Sequence, residues 1–212
     1  MQRAKDTELP LGVASLFGQD APVRTFDPEA FVQACVDALG DSTPVVAVED
    51  VMRKAVAEPR AFVDALQLPL DPDDDGILFQ SEEVMIVHAV FPSAFATGLH
   101  DHRMPAVIGT WAGYEDNLLY RRTPAGLEQR GTRRLEPSDV LVLDVDDIHD
   151  VHTPRNTWTA GLHVYLGDLI AVPRSSWTTP ESPEVPLDGD EMEERWLARA
   201  TATGLVAATP QA

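Results

Sequence analysis

At 212 residues the chain fits one domain with extensions and is long enough to bury a sizeable core. Its hydrophobic content of 44% and charged content of 24% are ordinary for a globular protein, but its formal net charge of -19 is not. That balance argues against nucleic acid, whose phosphates need clustered Lys and Arg, and against an anionic membrane surface; the acidity reads as solubility.

The first stretch, MQRAKDTELPLGVASLFGQD, has no sustained apolar segment after its basic residues, so no signal peptide is evident. No run approaches the ~18 apolar residues of a membrane span. The one cysteine, Cys35, leaves no internal disulfide framework and no Cys-rich zinc site. A reducing cytoplasm is therefore the expected compartment.

Residues 1–75 read as a mostly helical N-terminal segment. Asp27 is a candidate N-cap followed by a proline, and Ala30, Phe31, Ala34, Cys35 and Leu39 recur at helical spacing before Gly40. Cys35 is thereby a small buried apolar residue. A second helical stretch is expected from near Val48 through EDVMRKAVAEPRAFVDALQL, with Pro59 as a break or new start. LPLDPDDDG then reads as an acidic turn.

From residue 76 to 175 the texture changes to short β-type runs: GILFQ, EEVMIVHAVF, AVIGTWAG, NLLYRRT, GLEQRGTRRL, DVLVLD, DIHDVHT and TAGLHVYLGDL. Many short strands at close spacing predict a sandwich or barrel rather than a βαβ sheet. Residues 176–212 form a Pro- and acid-rich extension, with a short amphipathic helix at EMEERWLARATATG and loose final residues LVAATPQA.

Five of the six histidines follow His88 in this β zone. His100 and His102 form a His-x-His pair, and alternate side chains of a strand share a face, so the two imidazoles stand side by side. The apolar run PAVIGTW that follows is expected to carry the pair into the interior of a sheet. His149 lies in IHDVHTP, and a regular strand turns His152 to the opposite face. In LHVYLGD, alternation puts Gly161, His163 and Tyr165 on one face. In a jelly roll these inward faces converge in one cavity. Imidazole suits divalent iron, zinc, copper and nickel, and spacing alone does not distinguish them. Three protein ligands leave open positions, the mark of a catalytic site. His88, sharing a face with Val84, Ile86 and Val90, reads as a buried, hydrogen-bonded histidine, with a cavity-lining role second. Asp101 points away from the ligand face; Trp111, Tyr114 and Tyr120 read as core or pocket-wall aromatics, and at most one of Arg121 and Arg122 faces inward.

These residues are similar to the cupin pattern. His100, His102 and Gly113 sit at the spacing of its first motif, with Ala106 in place of the glutamate. His149 stands for the histidine of the second, where Asp144 and Asp146 replace the usual proline and glycine. HDHRMPAVIGTWAGYEDN, IHDVHTP and LHVYLGDLIAVPR together make the β zone resemble the cysteine dioxygenase superfamily, in particular its bacterial 3-mercaptopropionate dioxygenase-like branch. The resemblance implies a mainly β fold, a cupin double-stranded β-helix (jelly roll) with N-terminal helices and a short C-terminal helical extension. It implies one Fe(II) per chain held by His100, His102 and His149, and a reaction that adds both atoms of O2 to a small-molecule thiol to give a sulfinate. His163 and Tyr165 match the last two members of the family's Ser-His-Tyr row, with Gly161 where the serine would be. The position of the cysteine that some members crosslink to the tyrosine is Val107 here. Arg174 matches the arginine that holds the substrate carboxylate, a task for which a guanidinium fork is suited. The alternatives are a cupin oxygenase acting on a bulkier or heterocyclic thiol or a non-thiol substrate, and a non-catalytic metal- or ligand-binding cupin.

Overall fold

A computed structural model describes residues 25–63, 70–71 and 74–206. The opening stretch to residue 24, residues 64–69 at the end of the second expected helix, part of the acidic turn and residues 207–212 lie outside the described residues. Two helices come first, α1 (Pro28–Ala38) and α2 (Pro44–Val56), then a 3-10 turn at Pro59–Phe62. The strands follow as β1 (Ile77–Gln80), β2 (Met85–Phe91), β3 (Leu99–Asp101), β4 (Ala106–Ala112), β5 (Glu115–Thr123) and β6 (Gly126–Leu135). They continue as β7 (Val140–Leu143), β8 (Ile148–His152), β9 (Thr159–Tyr165), β10 (Ser175–Trp177) and β11 (Val185–Pro186), before α3 (Gly189–Thr203). No helix among the described residues is long and apolar enough to cross a membrane.

Local chemistry sets the helix ends. The Asp27 carboxylate accepts from the Ala30 N–H at 3.0 Å and Pro28 opens α1, as expected. The second helix begins at Pro44, not near Val48, because proline at the first helical position has its φ already set and no N–H to lose. Asp188 caps α3 by accepting from Glu191, and Gly204, at φ 73, closes it in the left-handed region. Leu205 and Val206, expected to be loose, are buried, and Val206 bridges Leu70.

The strands form two antiparallel sheets, ordered β1-β2-β9-β4-β7 and β11-β10-β3-β8-β5-β6. Sequence-distant strands lie side by side in both, β2 beside β9 and β3 beside β8, which is the jelly-roll topology the sequence predicts. Pairing continues past residue 175, since β10 joins β3 through Ser176 opposite His100 and Trp177 opposite Leu99. The His-x-His pair and PAVIGTW do not share a strand. The strand ends at Asp101, Arg103 takes a left-handed φ of 57, and β4 starts again in the other sheet. His102 therefore projects from the corner between the two sheets.

Alternation divides the first sheet into two faces. Ile86, Val90, Val107, Trp111, Ala160, Leu162 and Val164 pack on Phe31, Cys35, Val48, Met52, Val56 and Phe62 of the helical segment. Met85, Ala106, Ile108, Leu143 and Tyr165 pack together on the inward side. The helices approach so closely that a Cβ at Gly109 would sit 2.4 Å from Met52 Sδ and 2.9 Å from Val56 Cγ1. Gly109→Ala is expected to destabilise the protein by about 1–3 kcal/mol in denaturant unfolding. Combined with Met52→Ala, whose truncation vacates that space, the two losses should sum to less than their separate values.

Candidate metal centre

His100, His102 and His149 come together between the sheets. One ligand atom from each lies within 4.8 Å of the others, and all three residues are buried. The register is responsible: His100 on β3 is the direct partner of His149 on β8, and the corner after Asp101 swings His102 toward both. Ring centroids are 4.6 Å apart for His100–His149, 4.9 Å for His102–His149 and 5.1 Å for His100–His102.

The hydrogen bonds around the rings decide which nitrogen faces inward. His100 Nδ1–H donates to the Gly98 carbonyl at 2.8 Å, and His149 Nδ1–H donates to Asn117 Oδ1 at 2.8 Å. Each Nε2 of these two rings is left with a lone pair. His149 Nε2 lies 3.3 Å from His102 Nε2. Burial lowers the pKa of His100, which the Gly98 carbonyl partly offsets. Burial holds His102 and His149 well below the usual imidazole range, and the neighbouring imidazoles add to it. Three buried, neutral imidazoles with converging nitrogens, two of them with tautomers fixed from behind, fit a divalent cation.

Asp101, between two of these histidines, is not part of the donor set. Its side chain has no solvent exposure and faces outward, where Arg103 Nε lies at 2.7 Å and Arg122 also pairs with it. The Ser175 N–H donates to its other oxygen at 2.8 Å. Glu184 completes the group, accepting from Arg103 Nη2 at 2.5 Å, Arg122 Nε at 3.1 Å and Ser175 Oγ at 2.6 Å. Arg122 is thus engaged on the outer face, while Arg121 pairs with Glu128 in solvent. A cleft of about 450 Å³ beside Arg122, Trp177 and Glu181 lies on this outer face and is not lined by the histidines.

This clamp fixes the chain beside Arg174, whose own carbonyl accepts from the Leu187 N–H at 2.9 Å. Arg174 is half-buried and has no ion-pair partner among the described residues. Its charge acts on His100, His102 and Tyr165. Burial lowers the Arg174 pKa, against the pull of Tyr165 and Asp101.

His163 and Tyr165 stand where alternation along β9 predicts. His163 Nδ1 and the Tyr165 hydroxyl are hydrogen-bonded at 3.0 Å, and the Tyr165 ring centroid is 5.0 Å from that of His102. Burial lowers His163 to about 4 and raises Tyr165, so the first is neutral and the second protonated at neutral pH. A Cβ at Gly161 would lie 2.7 Å from the Gly109 carbonyl oxygen, so β4 leaves no room for the serine of the Ser-His-Tyr row. The inward neighbour of Tyr165 on β4 is Ala106; Val107 faces the helices.

His88 lies on that helix-facing side and accepts from Trp111 Nε1–H at 3.1 Å, so it lines no metal cavity. Trp111 stacks on Phe62 at 5.1 Å in the core, Tyr114 sits under Arg134, and Tyr120 packs with Leu99, Ile148 and Trp177. His152 faces out and pairs with Asp150. Sequence reasoning missed Asn117 and Glu115, which stand behind His149. Asn117 Nδ2 donates to Glu115 Oε1 at 2.9 Å, and both residues are buried. Burial raises the Glu115 carboxyl to about 7 despite that hydrogen bond. The available signal is two polar residues two apart on the buried face of a strand.

No family model and no curated protein matches the sequence. Among solved structures, the chain is similar to a cupin-like protein of unknown function from Ralstonia eutropha, at 18% identity and a TM-score of 0.37 over 68% of this chain and 78% of that one. It is similar to a cupin domain from Bordetella pertussis at 24% identity and a TM-score of 0.34, over 42% of this chain and 88% of the other. For the Schizosaccharomyces pombe Cnp3 cupin domain the values are 9% and 0.37, with 44% of this chain and 60% of that domain covered. The match thus spans about three fifths of that last domain's length. The strand order and the histidine cluster carry the fold and site given above.

Two outcomes follow from this geometry. Gly161→Ser is expected to lower the unfolding free energy by about 1–3 kcal/mol, because β4 and β9 must separate to admit it. The second concerns pH. Between pH 4.5 and 7 the folded protein keeps a Glu115 proton that the unfolded chain has released, so this group's stabilisation falls as pH rises. His163 acts oppositely: its contribution is complete above pH 6.5 and is lost as pH falls toward 4. In metal-free Glu115→Gln the imidazole trend is unopposed. Its gain in unfolding free energy from pH 5 to pH 7 should exceed the wild-type gain by about 2 kcal/mol, measured by urea unfolding.

Proposed function

We propose that this protein is an Fe(II)-dependent thiol dioxygenase that converts a small thiol carboxylate to its sulfinate. The reading rests on the sequence resemblance and on one observation: three buried, converging imidazoles in a chain whose half-buried Arg174 has no ion-pair partner among the described residues. The reaction balances without an external reductant, since R–SH and O2 give R–SO2⁻ and a proton, the sulfur losing the four electrons that O2 gains.

His100, His102 and His149 would hold the iron. Bound Fe(II) supplies the redox chemistry that lets O2 react with sulfur. The chain supplies position and electrostatics. Three neutral donors add no negative charge, so the complementary form of the substrate is the thiolate. Arg174 receives the carboxylate through its guanidinium fork, and the peptide that follows it is anchored at both its carbonyl and its N–H. Tyr165 stays protonated and its hydroxyl is held by His163, giving an oriented polar group beside His102. Met85, Ile108 and Leu143 pack with Tyr165 and exclude water from that side.

The test is oxygen uptake by anaerobically iron-loaded protein, with products weighed by mass spectrometry. The panel is 3-mercaptopropionate, cysteine, mercaptosuccinate, cysteamine and a histidine-derived thione. A mass gain of two oxygens on a thiol carboxylate is the expected result. Arg174→Ala should raise KM for that substrate about 10-fold or more, consistent with the loss of a charge-assisted pair, and leave cysteamine unaffected. No uptake with any thiol at one iron per chain would overturn the proposal.

A further inference from the structure

We infer that Glu115 is a positioning residue that sets the tautomer of His149 through the side-chain amide of Asn117. The inference rests on His149 being a metal ligand. To coordinate through Nε2, a neutral imidazole must carry its proton on Nδ1, so Nδ1 must face an acceptor. For His100 that acceptor is the Gly98 carbonyl, which has no donor end. For His149 it is an amide whose two ends have nearly the same shape. Turned by half a rotation, Asn117 would present N–H to Nδ1. The imidazole proton would then favour Nε2, facing His102 Nε2 only 3.3 Å away.

As a carboxylate, the form it takes above about pH 7, Glu115 can only accept, and it then selects between the two orientations. Its Oε1 accepts from Asn117 Nδ2 at 2.9 Å, which sends Asn117 Oδ1 toward His149. Glu115 is 3% exposed and Asn117 0%, so bulk water does not compete for either end of the amide. The backbone makes the relay rigid. Residues 115 and 117 share one face of β5, and Leu119 on the same face is the direct partner of His149. Among the described residues, no other hydrogen bond of the Asn117 side chain distinguishes its two ends.

The experiment uses two variants. Glu115→Gln keeps shape but can donate as well as accept, which frees the Asn117 amide to turn. When Glu115→Gln is combined with Asn117→Asp, the introduced glutamine amide donates to a carboxylate that also accepts from His149, restoring the polarity at unchanged total charge. Above the Glu115 transition, at about pH 8, long-range 1H–15N spectra of the metal-free protein report the tautomer, and Co(II) titration against a competing chelator reports the site. The expected result is Nδ1–H on His149 in the wild type, loss of that single state in Glu115→Gln, and its return in the double variant. Co(II) affinity should fall about 10- to 100-fold in the single variant and recover in the double. A general loosening of the fold would lower affinity in both and overturn the inference. An unchanged tautomer with unchanged Co(II) affinity in Glu115→Gln overturns it too, while leaving the metal site standing. A tautomer that responds to Glu115 in a wild type that binds no Co(II) overturns the metal reading and keeps the relay.

Discussion

A carboxylate without solvent contact, Asp101, determines where the chain turns and what is brought to the turn. Two guanidiniums and one backbone N–H converge on it from three parts of the sequence: the corner at Arg103, the fifth strand at Arg122 and the tenth at Ser175. Asp101 is the fully buried member, and truncating it would leave both guanidiniums without their central partner. The corner carries His102 away from the strand of His100 and toward His149, and the Ser175 contact fixes the chain next to Arg174. The histidine cluster and the position of Arg174 are therefore set by the same ion group, on the side of the strand opposite the histidines.

Much of this is legible in the sequence, for identifiable reasons. Period-two alternation places His163 and Tyr165, and parity separates His149 from His152, because β8 and β9 are regular strands. The corner is not legible. PAVIGTW looks continuous with the histidines, and only the hydrogen bonds and ion pairs of Asp101, which join residues as far as 74 apart in the chain, break the run. β10 escapes for a related reason: its three residues, Ser175–Trp177, have no strand pattern of their own and are held by β3. Glu115 and Asn117 escape because the sequence pattern starts the fifth strand at Asn117, which hides that two polar residues share its buried face.

Close packing ties the helical segment to the site without a polar contact. Met52 and Val56 crowd Gly109, and the Gly109 carbonyl crowds Gly161, two residues from His163. Interiors at this density transmit volume changes rather than absorb them. The absence of a side chain at 161 is thus dictated from the far side of the sheet.

The charge pattern has a consequence for how an anion would arrive. The interior histidines and Tyr165 are neutral, and the charge of Arg174 reaches His100, His102 and Tyr165, whereas the chain as a whole carries -19. At long range an approaching carboxylate meets repulsion; at contact it meets an attraction that mobile ions screen poorly in a half-buried setting. Raising ionic strength weakens the first more than the second. If Arg174 takes a carboxylate as proposed, that association should quicken with added salt, the reverse of ordinary electrostatic steering, the ionic medium setting the rate of entry and the half-buried guanidinium the length of stay.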